Sequence, residues 1–365
     1  MISTRIVMTA IFALAFISAA STPELAPLSA RGKAKDVWTD SQDPTLPGDF
    51  KFQGEYTGAI PGGAKLGCQV IALGKGAFQA VVYPGGLPGA GWDGQNKIIM
   101  DGRLEGDQAT FKPAAGTKKY LAQAPDQFSA TSKFPPTGQK DYSATVRGDM
   151  MMGKTAEGQS FELKKTGRTS PTAGQKPPDG AVVLFDGANT DEWTGGRLDR
   201  ASGFLNTDGK DILTKKKFTN YTLHVELMLP YRPDARGQGR GNSGVYQVDL
   251  YEVQVLDSFG LDGKNNECAG IYTKAAPKVN MCLPPLTWQT YDIDFTNAVA
   301  DASGKKSKNA MITMKHNGVV IHDNQEINGP TGGGRADKEG TPGPIRLQGH
   351  GNPLQYRNIW IVEKK

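Results

Sequence analysis

The run Gly241-Asn242-Ser243-Gly244-Val245-Tyr246-Gln247-Val248-Asp249-Leu250-Tyr251-Glu252-Val253-Gln254-Val255-Leu256-Asp257 constrains the fold more than any other stretch of this chain. β-Branched and aromatic residues dominate it, and polar side chains recur at every second position. That pattern predicts two β-strands, Gly244 to Val248 and Tyr251 to Leu256. Alternation along the second strand puts Glu252 and Gln254 on one face and Tyr251, Val253 and Val255 on the other. With regular pairing Asp257 falls on the valine face, but one bulge near Leu256 would swing it round beside Glu252 and Gln254. A carboxylate, an amide and a second carboxylate would then line one cleft.

The rest of the chain repeats this strand-and-turn grammar. Short apolar runs are punctuated by turn residues, with 46 glycines and 23 prolines in 365 residues, and long amphipathic helical runs are absent. The expected class is all-β. Residues 50–168 read as a small β-sandwich or barrel of about eight strands, among them Gly54 to Gly58, Cys68 to Leu73 and Ala77 to Tyr83. Residues 169–180 are a Pro/Gly/Ser/Thr linker. Residues 181–365 carry about a dozen further strands, which fit two packed antiparallel sheets, a jelly roll. Among them, His316-Asn317-Gly318-Val319 predicts a two-residue hairpin.

The first 20 residues read as a signal peptide: Arg5, then an apolar core from Ile6 to Ile17 too short for a typical membrane span, then Ser18-Ala19-Ala20 as a cleavage site. Residues 21–49 are a polar, proline-containing linker. No later stretch is long and apolar enough for a transmembrane segment, so the mature protein is expected to be exported, periplasmic or extracellular. The net charge is +5, with no basic stripe interleaved with aromatics, so no nucleic acid partner is expected. Export permits disulfides. Cys268 and Cys282 bracket a proline-rich loop and could close a ring worth about 3 kcal/mol in the chain-entropy model. Cys68 lies in an apolar strand pattern and reads as a buried, inert thiol.

Glu252-Val253-Gln254-Val255-Leu256-Asp257 resembles the Glu-x-Asp-x-x-Glu signature of family 16 glycoside hydrolases, with an amide in place of the middle carboxylate. A closer resemblance is to the bacterial 3-keto-disaccharide hydrolase domain. Its pattern runs through Leu184-Phe185-Asp186-Gly187, Trp193, Asn242-Ser243-Gly244, Tyr251 to Asp257 and Gly270-Ile271-Tyr272. It continues through Ala276-Pro277, Trp288, His316-Asn317-Gly318, Leu347-Gln348-Gly349-His350-Gly351 and Tyr356-Arg357-Asn358-Ile359. The resemblance implies a concanavalin A-like β-jelly roll over about residues 180 to 365. Residues 50–168 look like the smaller all-β module that often precedes such domains in secreted bacterial proteins.

The implied activity is cleavage of 3-keto-glycosides, with a carbohydrate as substrate. The proton on carbon 2, next to the carbonyl, is acidified. A base removes it, the glycosidic oxygen leaves carbon 1, and water addition completes net hydrolysis. The expected catalytic residues are Glu252, Asp257 and His350, with Glu252 or His350 as base and Asp257 as acid. Gln254, Asn242, Gln348 and Arg357 are the expected substrate-binding groups. The carbonyl could be polarised by His350, by Arg357, or by a divalent metal ion held by Glu252, Gln254 and His350. Each residue also has an ordinary structural role open to it. Strand Glu and Gln commonly line solvated sheet faces, Asp257 suits a turn cap, and Arg357 suits an ion pair. A non-catalytic, lectin-like carbohydrate-binding protein of the envelope is the alternative function, and a two-domain scaffold is the third.

Overall fold

Glycine-rich turns and period-two alternation leave room for little besides strands. Among the described residues the only helical element is the 3-10 turn Gly237–Gly239. The structure is a computed structural model and describes residues 36–335 and 338–364. The expected signal peptide and residues 21–35 of the expected linker lie outside the described residues.

Eight strands form a closed antiparallel barrel: Gly54–Ala59, Lys65–Gly74, Ala77–Pro84, Ile98–Glu105, Gln108–Pro113, Ser143–Arg147, Met150–Lys154 and Ser160–Thr166. Gly54–Ala59 pairs with both Lys65–Gly74 and Ser160–Thr166, which closes the ring and leaves no free edge. Phe52, Tyr56, Val70, Phe78, Phe111 and Phe161 fill its interior. Cys68 is buried among them, and burial pushes its thiol well up.

Two larger sheets form the sandwich, and two two-stranded ribbons, Lys119–Tyr120 with Phe128–Ser129 and Val299–Ala300 with Lys306–Lys308, lie apart from them. In the larger, Arg197–Asp199, Phe204–Asn206, Gln355–Glu363, Tyr221–Met228, Trp288–Thr296, Ala310–His316 and Val319–Ile327 are neighbours in that order, and Val182–Phe185 pairs alongside Gln355–Glu363. The smaller runs Trp193–Thr194, Ile212–Thr214, Arg346–Leu347, Ser243–Gln247 and Tyr251–Val255. Their inward side chains, among them Leu223, Val225, Tyr291 and Ile293 from one and Ile212, Val245, Val253 and Leu347 from the other, share one apolar core. The class is therefore all-β, a sandwich preceded by a smaller β domain. Asn317 and Gly318 take φ of 50° and 79°, the left-handed values that a tight hairpin demands.

Two sets of polar contacts join barrel and sandwich. On one side Arg236 Nη2 donates to the Leu73 carbonyl at 2.8 Å, Arg240 Nη1 to that of Ala72 at 3.0 Å, and Lys97 Nζ lies 2.8 Å from Asp262. On the other, the 169–180 segment is strapped to the larger sheet. Thr172 Oγ1 donates to Asp292 at 2.7 Å, the Gly174 N–H to Glu226 at 2.5 Å, and Asn358 Nδ2 to the Gln175 carbonyl at 2.9 Å. Cys268 and Cys282 are buried free thiols rather than a disulfide; Cys268 Sγ sits 3.2 Å from Tyr291 Oη.

Candidate functional site

The smaller sheet turns one face to the core and the other outward, and register decides which side chains share the outer face. Tyr246 lies opposite Glu252, Gly244 opposite Gln254, and Arg346 opposite Tyr246. Their neighbours Val245, Val253 and Leu347 point into the core. Alternation therefore gathers Tyr246, Glu252, Gln254, Arg346 and Gln348 on one polar face.

Glu252 sits at its centre and is only 3% exposed. Its N–H donates to Thr331 Oγ1 at 2.8 Å, and its Oε2 accepts the Tyr246 hydroxyl at 2.7 Å. Oε1 accepts no hydrogen bond from a described residue. It lies over Gly244, where a β-carbon would come within 2.4 Å of it and displace the carboxylate. Burial raises the Glu252 pKa to about 7, against the opposing pull of the Tyr246 hydroxyl and the Arg346 charge.

Arg346 stacks its guanidinium 3.6 Å from the Tyr246 ring centre. Its Nε lies 2.9 Å from Asp249, its Nη1 3.7 Å from Asp211, and its Nη2 donates to the Gly333 carbonyl at 2.6 Å. Asp249 comes from the hairpin loop itself, where Val248 and Asp249 take φ of 48° and 58°. A β-branched residue seldom adopts that region. The strained turn holds the carboxylate that anchors Arg346.

Beside Glu252 is a cluster of amides. Gln238 Oε1 accepts from Asn242 Nδ2 and from Gln254 Nε2, each at 3.0 Å. Gln348 Nε2 reaches the Tyr246 hydroxyl at 3.4 Å. The side-chain oxygens Asn242 Oδ1, Gln254 Oε1 and Gln348 Oε1 are buried and accept nothing. An unmet buried acceptor costs about 1–3 kcal/mol, which a ligand supplying hydrogen-bond donors would recover.

Of the residues singled out from sequence, Glu252, Gln254, Asn242 and Gln348 belong to this cluster. The chain from 348 to 352 runs alongside 244 to 241, with the Gln348 N–H on the Gly244 carbonyl at 2.8 Å and Asn352 Oδ1 accepting the Gly241 N–H at 3.2 Å. His350 therefore lies at the rim of this face, exposed. Asp257 does not join them. The strand ends at Val255, and the carboxylate lies 2.5 Å from Arg240 Nε, buried against the barrel. Arg357 does not join them either. It belongs to the larger sheet, where its Nε donates to Glu226 at 2.7 Å and its guanidinium lies 4.1 Å from the Trp288 ring centre.

The other three histidines are structural. His316 Nε2 meets Gln289 at 3.0 Å, and burial lowers its pKa to about 3. His322 meets the Ala269 carbonyl at 2.8 Å, and His224 lies between Asp292 and Glu226.

Of the ligand set Glu252, Gln254 and His350, the first two share this face. Gln254 and Glu252 offer free oxygens, but the His350 ring is exposed at the rim. Among the described residues no three His, Cys, Asp or Glu side chains cluster for a metal.

Sequence reasoning missed Tyr246, Arg346 and Gln238. Alternation carried across the hairpin sets Tyr246 opposite Glu252, and Arg346 shares a face with Gln348 two residues on, so both had a signal. Gln238 had none, because a loop brings it in from outside the sheet.

Fold and face together define a class: a two-sheet β-sandwich with a near-neutral buried carboxylate among donor-seeking amides on one sheet. Residues 180–362 match the family model of the 3-keto-alpha-glucoside-1,2-lyase-like domain, and the chain belongs to that family. Two crystal structures described as candidate glycosyl hydrolases from Parabacteroides distasonis ATCC 8503 are similar to it. One is 33% identical over 51% of this chain and 85% of that one, with a TM-score of 0.48. The other is 17% identical over 51% of this chain and 95% of that one, with a TM-score of 0.37. A comparison with curated proteins found no match.

Proposed function

We propose that this chain is an exported enzyme that cleaves 3-keto-glycosides by removing the proton from carbon 2 and expelling the glycosidic oxygen from carbon 1. The observation that supports it is the buried Glu252 carboxylate, with one oxygen unbonded and a pKa raised to about 7. A base acts best when its pKa lies near the working pH.

Glu252 Oε1 takes the carbon 2 proton. The electron pair forms the carbon 1–carbon 2 double bond as the carbon 1–oxygen bond breaks, and the leaving oxygen takes a proton from His350 at the rim. Negative charge building on the carbonyl oxygen meets Gln348 Nε2 and the Arg346 charge, while the Tyr246 hydroxyl keeps its proton on Glu252 Oε2. Asn242 and Gln254 offer their free side-chain oxygens to sugar hydroxyls. Water adding across the double bond gives net hydrolysis; without it the outcome is that of a lyase. Asp257, locked to Arg240, and Arg357, on the other sheet, take no part.

Purified protein incubated with a 3-keto-disaccharide and with its unoxidised parent, followed by product analysis, tests this. Cleavage of the keto sugar alone is the expected result. Equal cleavage of both, or of neither, refutes it.

A further inference from the structure

We propose that the N-terminal barrel domain is a working part of the amide subsite: through Tyr120 and Glu267 it sets the Asn266 carbonyl, which orients Gln238 and, through Gln238, Asn242 and Gln254. This rests on reading that face as a glycoside site, and it gives the barrel a role there.

Amide orientation is fixed by a group that cannot turn round. The Asn266 backbone carbonyl only accepts, and Gln238 Nε2 donates to it at 2.8 Å. The Gln238 amide must therefore present its oxygen on the opposite side. That oxygen accepts both Asn242 Nδ2 and Gln254 Nε2 at 3.0 Å. A second backbone carbonyl, that of Gln238, takes Asn242 Nδ2 at 2.9 Å. Both amides are thereby turned with their own oxygens away, and these are buried oxygens left without donors. One carbonyl, at Asn266, dictates what two binding groups offer a ligand.

The loop carrying Asn266 is held from within and from the barrel. Glu267, itself buried, accepts the N–H groups of Gly263 at 2.8 Å and Lys264 at 2.9 Å on Oε2. Its Oε1 accepts the Tyr120 hydroxyl. Tyr120 lies on an excursion between two barrel strands, Gln108–Pro113 and Ser143–Arg147, and pairs in parallel with Ser129. Lys264 Nζ closes over the Tyr120 ring at 3.8 Å. From the same excursion Gln123 Nε2 donates to the Asp234 carbonyl at 2.9 Å, on the loop that supplies Gln238. One barrel segment therefore grips both loops that meet at Gln238. Tyr120 and Gln238 are positioning residues.

Tyr120→Phe and Gln238→Met in the full chain test this. Each is expected to raise KM for the 3-keto-disaccharide about tenfold, with kcat and the acid limb of its pH profile unmoved, as loss of uniform binding requires. Deuterium uptake over residues 234–242 and 263–270 is expected to rise in Tyr120→Phe, while uptake in the strands of the larger sheet stays as it was. Unchanged KM in both variants overturns the proposal, whatever the exchange shows. If the unsubstituted chain cleaves no sugar, the glycosidic reading has failed, and exchange alone judges the relay: a rise upholds it, and no rise overturns it.

Discussion

Burial of the Glu252 carboxylate comes at the expense of the fold. Its pKa is raised from 4.5 to about 7, so the folded chain binds this proton more tightly than the unfolded chain does. Stability contributed by that proton is present below pH 4.5 and declines as pH rises through about 7, by about 3 kcal/mol in all. Glu252→Gln keeps the shape and an acceptor for Tyr246 but removes the titration. It is expected to abolish turnover while raising the thermal midpoint at pH 8 and leaving it unchanged at pH 4; calorimetry beside an activity assay checks both. Tyr246→Phe removes the bond that holds the carboxylate pKa down. Its acid limb in kcat/KM is expected to move to higher pH, and a limb that stays in place would take Tyr246 out of the electrostatics of the site.

At the scale of strands, the outer face was legible wherever period-two alternation governs. The Glu252, Val253, Gln254 pattern assigned faces correctly because one side of that strand is buried, and a slip of one residue would have put valines outside. Alternation fails at strand ends, and there the expectations diverge from the structure. Asp257 lies beyond Val255, where the chain turns toward the barrel, and nothing local announces that Arg240 waits for it. Arg357 sits on a strand that bulges at Asn358, and sequence does not say which of two sheets that strand joins. Cys268 and Cys282 bracket a loop in sequence and meet in space, but as free thiols. Asp257→Ala would leave the buried Arg240 charge unpaired, and it is expected to cost about 3–5 kcal/mol of stability. Its kcat per folded molecule is expected to be retained, which denaturant titration combined with kinetics can separate.

At the scale of the whole molecule, the strap over the larger sheet is sensitive to pH. Burial opposes charge on His224, but Asp292 at 2.6 Å and Glu226 at 3.5 Å outweigh it and raise its pKa. Burial likewise works against ionised Glu226, yet His224, Asn358, the Gly174 N–H and Arg357 bring its pKa down to about 2. The histidine's contribution is complete below 6.5 and lost as pH rises through its raised pKa. The glutamate's is complete above 4.5 and lost as pH falls through about 2. His224→Gln is expected to narrow the drop in melting temperature between pH 6 and pH 9, measured by circular dichroism; an unaltered drop would place its origin elsewhere.

The other fastening has a different consequence. The family match begins at residue 180, yet within it Arg236 and Arg240 are bonded to carbonyls of Leu73 and Ala72. The border of the family thus cuts across contacts that tie the sandwich to the barrel. A sandwich excised at that border would keep its sheets but expose two arginines whose acceptors had stayed behind.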